Sequence, residues 1–457
     1  MPSIKPSVIV QLFSPRRFEF LLGSRWRAGV FFLAIGLPGL FVVAQTIRIA
    51  LAATLGKSTA PARLRRALAY DPANPKLHHR LGQIHSYYSV EDRDPAESVK
   101  HFRRATELSP YGAGYWLDLA KVCLLMGDTA SADAALNRAL ELSPMSPRTR
   151  WTAANHYYQT NRLEEAWPQF RRFLELSPGY APATFQLCLR ASGDPQLIFE
   201  KVVPSGSDSR LRLAYVDFLS AYGQIDFAHR FWVQTVANTS PFPFAWARSY
   251  LDRLLALGRD HEAVGVWKDL ERLGIVTPPS TAEADNLVFN GNFERPPLNA
   301  GFDWRFSAFP YLEFDFQDSK AYQGTRCLRL DFTVKDNAEQ EALFQIVPVT
   351  PNQTYQLKAY VRSENITSDS GPRLRVLDPT CPGCLSVSSE TTVGTTAWHP
   401  VSLNFSTGSQ TRLVRLSVWR ARSRTFPTEI TGSFWLDAVS VKAASSPSEK
   451  AALTPAP

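Results

Sequence analysis

The chain has 457 residues, 44% of them hydrophobic and 12% aromatic, with a net charge of +8. That length suffices for two or three domains, at roughly 150 residues each. The excess of cations suggests nucleic acid, but its position excludes that reading. Ten basic residues against the single acid Glu19 fall before residue 67, leaving the remainder about one unit negative, whereas a phosphate-binding domain concentrates its cations on the folded module.

The first element is the run 28–47 (AGVFFLAIGLPGLFVVAQTI), twenty residues without a charge. As an α-helix it spans about 30 Å, the thickness of a bilayer core. A single transmembrane helix over 28–48 is expected, kinked at Pro38 and Gly39, with the flanking cations against anionic headgroups. The triplet Ala50-Leu51-Ala52 leaves a cleaved signal peptide open as the alternative, although the basic leader 1–27 is long for one. Arg25 and Arg27 on one side against Arg48 on the other point to a cytoplasmic N-terminus and a periplasmic bulk, in an inner-membrane protein of one pass.

Next come repeats. The strings Glu107-Leu108-Ser109-Pro110, Glu141-Leu142-Ser143-Pro144 and Glu175-Leu176-Ser177-Pro178 each close an amphipathic helical run, with 34 residues between successive prolines. In one unit the markers are Trp116, Leu119, Ala120, Ala132, Leu136, Ala139 and Pro144; in the next, Ala153, Ala154, Tyr157, Ala166, Phe170, Phe173 and Pro178. Small residues let two helices cross closely, large ones fill the space between hairpins, and proline ends the second helix. Gly127 and Asn161 sit where a tight turn needs positive φ. At these positions the sequence resembles the tetratricopeptide-repeat family. The reading is an α-solenoid over 58–273: a leading half-hairpin at 60–70, about four clear repeats, and two degenerate hairpins from Leu211 to Leu273. Four extra residues around Glu91-Asp92-Arg93-Asp94 lengthen an early turn. The resemblance implies a protein or peptide partner in the groove. His78, His79, His85 and His101 read as solvated helix faces.

Helical periodicity stops in a linker at 274–285, and short alternating runs follow: Leu287–Phe289, Cys327–Phe332, Ala342–Val349, Thr354–Arg362, Arg373–Leu377, Trp398–Phe405, Val414–Trp419 and Phe434–Val441. Period-two patterning split by turn residues predicts an antiparallel β-sandwich of jelly-roll type over 286–442. The opening 287–294 (LVFNGNFE), the strand 324–330 (GTRCLRL), the stretch from Gln345 to Arg362 and the closing 432–439 (GSFWLDAV) resemble the galactose-binding-like carbohydrate-binding modules. That resemblance implies a glycan ligand and a structural Ca²⁺ held by Glu294 and Asp437. Sugar rings are held by aromatic faces and planar polar groups, so the ligand candidates are Trp304, Tyr311, Tyr360, Arg362, Trp398 and Trp419, with Phe306 beside them. The pair Cys381 and Cys384 lacks the second pair or histidines of a zinc site and the βαβ surroundings of a thioredoxin motif, so a loop disulfide of an exported domain is expected. Cys123 and Cys188 read as small core residues. The tail 443–457 is rich in Ala, Ser and Pro and reads as disordered.

No Gly-x-Ser-x-Gly elbow, phosphate-cradling glycine loop or His–Cys constellation occurs, so an enzyme is not expected. The reading is an envelope scaffold, bound to the membrane by one helix, to a protein through its repeats and to a polysaccharide through its sandwich, serving surface-polysaccharide assembly or export. A carbohydrate-active enzyme with two opposed carboxylates in a sandwich cleft is the alternative.

Overall fold

The computed structural model describes residues 25–444 apart from 89–92, 205–208, 278–284, 307, 308, 310, 335, 336, 338 and 427. The basic leader before Arg25, most of the linker, and the tail beyond residue 444 lie outside the described residues. The chain divides into two compact units, Met1–Leu176 and Ser177–Pro457.

In the first unit, α1 (Arg25–Leu55) runs 31 residues with Pro38 inside it. Over Gly29–Leu55 it is long and apolar enough to cross a membrane. From Gly29 to Leu51 its side chains are exposed except for those of Phe31 and Gln45, which are partly covered. At 1.5 Å per residue the helix is about 46 Å long, some 16 Å more than a bilayer core. The surplus is used at its C-terminal end. Ala52 is 1% exposed, packed with Leu55 against Leu64 and Ala67 of α2 (Pro61–Tyr70) and Leu77 and Leu81 of α3 (Pro75–Gln83). Gly56 permits the approach: a Cβ there would lie 2.7 Å from Leu77 Cδ2. Arg80 donates to the carbonyls of Gly56 and Lys57 at 2.8 and 2.9 Å, and Arg48 donates to Tyr70 O at 3.1 Å. The expected half-hairpin at 60–70 is therefore a whole one, because the end of the apolar helix supplies its partner.

Three more hairpins follow: α3 with α4 (Pro95–Leu108), α5 (Ala113–Leu125) with α6 (Thr129–Leu142), and α7 (Pro147–Gln159) with α8 (Leu163–Leu176). Proline at the first helical position sets φ without losing a needed donor in α3, α4 and α7, and the side chains of Asn74, Asp94, Asp128 and Ser146 cap orphan N–H groups. Ala120, Ala132, Ala154 and Ala166 are all buried at the crossings. Gly127 and Asn161 adopt φ of +78° and +56°. A π-helical turn, Ile84–Tyr88, precedes the lengthened connection; of its extra residues Glu91 and Asp92 fall outside the described ones, and Asp94 caps α4.

The second unit opens with α9 (Ala181–Ser192), α10 (Pro195–Lys201), α11 (Arg210–Ala221), α12 (Ile225–Val236), α13 (Ala245–Ala256) and α14 (Asp260–Arg272), again packed in sequential pairs. Gly223 and Gly258 repeat the turn conformation at φ of +80° and +67°. Aromatic rings fill this part; Phe199 stacks on Phe231 at 4.2 Å and Phe185 meets Tyr215 at 4.8 Å.

The strands are β1 (Arg305–Phe306), β2 (Leu312–Asp318), β3 (Cys327–Val334), β4 (Gln340–Pro348), β5 (Thr354–Ile366), β6 (Arg373–Leu377), β7 (Ser386–Ser388), β8 (Gly394–Ser406), β9 (Leu413–Arg420) and β10 (Ile430–Ala443). They form two antiparallel five-stranded sheets, in the orders β1-β4-β9-β6-β7 and β2-β3-β10-β5-β8. Alternate residues such as Leu328, Leu330, Leu357, Val361, Leu416, Val418, Phe434 and Leu436 meet in one core between the sheets. Leu287–Phe289 is not a strand. Leu287 N donates to Val441 O, and the amide of Gln345 takes both the N–H and the carbonyl of Phe289, so a side chain replaces the ladder. Cys381 and Cys384 are disulfide-bonded, while Cys123, Cys188 and Cys327 are free and buried.

Within this unit the last hairpin is seated on the sandwich. The Trp267 ring meets Phe289 edge-on at 5.1 Å and Phe302 at 5.7 Å. Asp252 accepts from Arg305 at 2.5 Å and from Gly301 N at 2.9 Å. Gly301 (φ +59°) has no room for a side chain, since a Cβ would lie 2.6 Å from Trp267. At the start of the linker, Ile275 N donates to Leu270 O and Arg295 donates to Thr277 O.

Two glycine substitutions should have opposite signs. A Cβ at Gly82 meets the buried Phe102 ring at 2.8 Å, whereas one at Gly265, exposed in mid-helix, meets nothing within 4 Å. Overpacking costs about 1–3 kcal/mol and alanine gains about 1 kcal/mol in a helix interior. In urea unfolding of the full chain in detergent, Gly82→Ala lowers stability and Gly265→Ala raises it by about 1 kcal/mol.

Candidate functional site

Glu294 and Asp437 are brought together by the turn at 322–326. Asp437 lies where β10 bulges, before Ala438 at φ +49°, and the bulge lets Val439 N donate to Gly291 O. Asp437 is 0% exposed. Its Oδ2 accepts from Tyr322 N and Gln323 N, each at 2.9 Å, and its Oδ1 from Ala438 N at 2.6 Å. Glu294 holds the far side of the same turn: Oε1 accepts from Thr325 N (2.6 Å) and Arg326 N (3.1 Å), and Oε2 from Thr325 Oγ1 (2.6 Å). Gly324 (φ +79°) is the only residue that fits between, because a Cβ would lie 2.1 Å from Glu294 Oε1.

Electrostatics separates the two carboxylates. Burial pushes Asp437 above the ordinary carboxylate range and the charge of Glu294 adds to it, against three backbone donors that oppose the shift. Burial also acts on Glu294, but the bonds from Thr325 and Arg326 outweigh it and hold that group low. A carboxylate has about four lone-pair positions, so three donors leave about one on each. The donor set is hard oxygen, the kind Ca²⁺ takes, but with about one free position on each carboxylate the pair supplies only part of a shell of six to eight oxygens. Among the described residues no group of three or more His, Cys, Asp or Glu could hold a metal, so further ligands would have to be carbonyl or amide oxygens. Asn286 and Asn292 line a cavity of about 650 Å³ with Glu294, Tyr322, Tyr360, Lys358 and Lys442; Asp437 does not reach it.

The six glycan candidates go to four places. Trp304 is a core residue, 0% exposed, stacked on Phe293 at 5.2 Å with its Nε1 donating to Asn290 O; it cannot touch a ligand. Tyr311 is half-buried beside Phe309 at the start of β2. Tyr360, Arg362 and Trp398 share the outer face of the β2-β3-β10-β5-β8 sheet. Tyr360 stacks on Tyr322 at 3.6 Å, Tyr322 lies 5.9 Å from Trp398, and Trp398 Nε1 donates to Lys320 O at 3.1 Å. Arg362 lies over Trp435 at 5.2 Å and Lys320 over the same ring at 4.9 Å. Trp419 stands on the outer face of the opposite sheet, its Nε1 donating to Glu339 at 3.0 Å. Tyr322, 43% exposed, and Trp435 were missed in the sequence. Their signal is there: Trp435 alternates with core residues Phe434 and Leu436, and Tyr322 precedes the Gly324 turn by two.

In the first unit a cavity of about 270 Å³ lies along the first helices of two hairpins, lined by Lys121, Leu124, Trp151, Asn155 and Gln159 among others. Beside Lys121, Asp118 ties three such helices together. It accepts from His79 of α3 at 2.8 Å and Arg148 of α7 at 3.2 Å, with Lys121 at 3.2 Å. Burial opposes ionisation there, but the bond from His79 and the charges of Lys121 and Arg148 hold Asp118 at about 2. The early histidines are not solvated faces. The π-helical turn places His85 parallel to His101, and His78 Nδ1 is 3.1 Å from His101 Nδ1. Burial and those two neighbours lower His101 to about 4.

Residues 113–144, the α5–α6 hairpin, match the tetratricopeptide repeat family. No curated protein matches the chain. Among solved structures, MamA is similar at 14% identity over 43% of this chain and 91% of its own (TM-score 0.27). A family 16 carbohydrate-binding module is similar at 18% identity over 34% of this chain and 99% of its own (TM-score 0.24). A thermophilic TPR protein of Thermus thermophilus is similar at 25% identity over 29% of this chain and 70% of its own (TM-score 0.25).

The two tryptophans of the candidate set that differ most in burial are separable by stability. Trp304→Ala empties a core position and lowers stability by about 3–5 kcal/mol. Trp398→Ala, at a half-exposed face, costs about 1 kcal/mol or less. Denaturant unfolding followed by circular dichroism measures both; equal losses would contradict the placement.

Proposed function

We propose that the chain is a membrane-anchored scaffold of the cell envelope, with its repeats holding a protein or peptide partner and its sandwich a glycan, in surface-polysaccharide assembly or export. The observation that carries the anchoring is the continuity of α1, whose exposed apolar turns run into a packed end at Ala52. Signal cleavage after Ala52 would remove that residue and the helix on which α2 rests, so an uncleaved anchor is favoured. The arginines at the N-terminal edge favour a cytoplasmic N-terminus and a periplasmic bulk. The Cys381–Cys384 disulfide suits an oxidising compartment.

The groove beside Lys121 and Asn155 supports a peptide partner, since it combines apolar walls with polar groups able to pair an extended backbone. The rings of Tyr322, Tyr360 and Trp398 support a sugar ligand, being partly exposed on one face. Glu294 lines a cavity, but Asp437 is fully covered and turned onto backbone N–H groups, so the two do not present the opposed carboxylates of a glycosidase; a general acid has to reach the glycosidic oxygen. The role proposed for the pair is to hold Ca²⁺, whose charge would fasten the 322–326 turn to β10.

Two measurements test this reading. After alkaline extraction of membranes, the full-length chain stays in the pellet with a mass that includes residues 1–52; a soluble product beginning after Ala52 would refute the anchor. Detergent-solubilised full chain melts at a lower temperature in chelator than in millimolar Ca²⁺, by mass action, and Asp437→Asn abolishes the difference. A melt indifferent to chelator removes the metal from the proposal and leaves the scaffold untouched.

A further inference from the structure

The outer face of the β1-β4-β9-β6-β7 sheet carries a cluster that stacking on a neutral sugar does not explain. Strands β4, β9 and β6 lie side by side there, and Leu343, Val347, Val414, Leu416, Val418, Leu374 and Val376 take their inward positions. The alternate positions form cross-strand rows. Glu341, Trp419 and Arg373 make one row, Phe344, Ser417 and Arg375 the next, and Ile346, Arg415 and Leu377 the third.

Aromatic rings hold the guanidinium groups. Arg375 lies over the Trp419 indole at 4.5 Å and Arg373 at 5.4 Å, and Arg415 lies over Phe344 at 3.6 Å. A planar guanidinium stacked on a ring keeps its N–H edge free for a partner. Trp419 is thus a platform for arginines, and its face is not open to a sugar ring.

Those edges are short of acceptors. Glu341 accepts from Arg415 at 2.7 Å and from Arg375 at 3.4 Å, and Arg373 donates to Ser370 Oγ at 3.3 Å. Each guanidinium has five donors; the Nε atoms of Arg373, Arg375 and Arg415 are covered and have no hydrogen-bond partner, so a ligand reaches these side chains at their part-exposed outer ends, Arg375 being 20% and Arg415 31% exposed. In the middle of the cluster the Ser417 hydroxyl is fully buried and likewise has none. Leaving buried donors unmet is costly, and most so for charged groups. Three cations face the carboxylates of Glu341 and Glu339, so one positive charge is uncompensated.

We infer that this face binds an acidic polysaccharide, with the oxyanion of a sugar residue received by the edges of Arg373, Arg375 and Arg415. This rests on the proposed glycan-binding role of the sandwich and names its substrate class. A carboxylate accepts two parallel N–H bonds from an arginine, which a neutral hydroxyl cannot, and a flat three-strand face suits a chain rather than a single sugar. Trp419 and Phe344 are positioning residues, since they fix the arginine planes without touching the ligand.

The test uses the full chain in detergent, titrated calorimetrically with a polyuronate, with dextran sulfate, with neutral dextran and with anionic phosphatidylglycerol vesicles. The polyuronate binds, more weakly as salt rises. Arg375→Gln and Arg415→Gln each weaken it about tenfold or more, with the melting temperature as the check on folding. Arg415→Lys, which keeps charge but loses the fork, does not restore affinity. Trp419→Phe retains more affinity than Trp419→Ala, and Arg138→Gln on α6 changes nothing. Binding of dextran sulfate in place of polyuronate, with the same variant losses, assigns the oxyanion to a sulfate ester. Equal binding of neutral dextran that ignores the arginine variants overturns the acidic class and leaves glycan binding standing. Arginine-dependent binding of vesicles alone overturns it in favour of lipid. No binding of any polysaccharide removes the glycan role itself.

Discussion

A helical hairpin cannot bury its apolar face against itself, so every hairpin in this protein needs a neighbour, and a terminal one needs a substitute. In the first unit the substitute is the end of the apolar helix. Ala52, Leu55 and Gly56 occupy the place that a preceding repeat would fill against Leu64, Ala67 and Leu77. In the second unit it is the sandwich, whose Phe289 and Phe302 meet Trp267 and whose Gly301 leaves the space that Trp267 and Leu251 need. A helix suited to a bilayer and loops that open a β-domain both serve to end a stack.

The same demand, in polar form, organises the sandwich. A buried carboxylate must find donors and a buried N–H must find an acceptor. Asp437 and Glu294 meet that condition with five donors of one turn and a sixth from Ala438 N of β10, and in doing so set Tyr322 against Tyr360. The amide of Gln345 meets it for Phe289 at the point where the ladder fails. Arg373, Arg375 and Arg415 do not fully meet it. Trp435 Nε1 and the Ser417 hydroxyl are likewise buried without a partner, so the unmet donors lie on the outer faces of both sheets and the met ones around the turn that joins Glu294 to β10.

Much of this was legible in the residues. The 34-residue spacing placed α5 to α8, the small residues placed their crossings, and Gly127 and Asn161 marked turns that do have positive φ. Seven of the eight strand-like runs are strands. The passed-over β2 does alternate, Leu312, Phe314 and Phe316 against Glu313, Asp315 and Gln317, but it is an edge strand whose acids read as loop. The run Leu287–Phe289 looked like a strand because its residues are apolar, yet their hydrogen bonds go to one side chain and one neighbouring carbonyl.

The candidate site was legible by residue type and not by position. Sequence alone determined the apolar helix, the repeating hairpins, the two-sheet sandwich and the disulfide, because each follows from a local period or a close spacing. The pairing of Glu294 with Asp437, far apart in the chain, came from the family resemblance instead. Tertiary structure decided which aromatic is core and which is surface. Trp304 and Trp398 are alike as residue types, and only the packing over one of them makes it inaccessible. It also decided that the apolar helix ends as part of a repeat, that His101 is half-buried between His78 and His85, and that Trp419 supports arginines. The physical reason is common to all of these. Period and spacing say which residues share a face, but what lies against that face comes from segments tens to hundreds of residues away, and burial, charge and hydrogen bonding are properties of that contact.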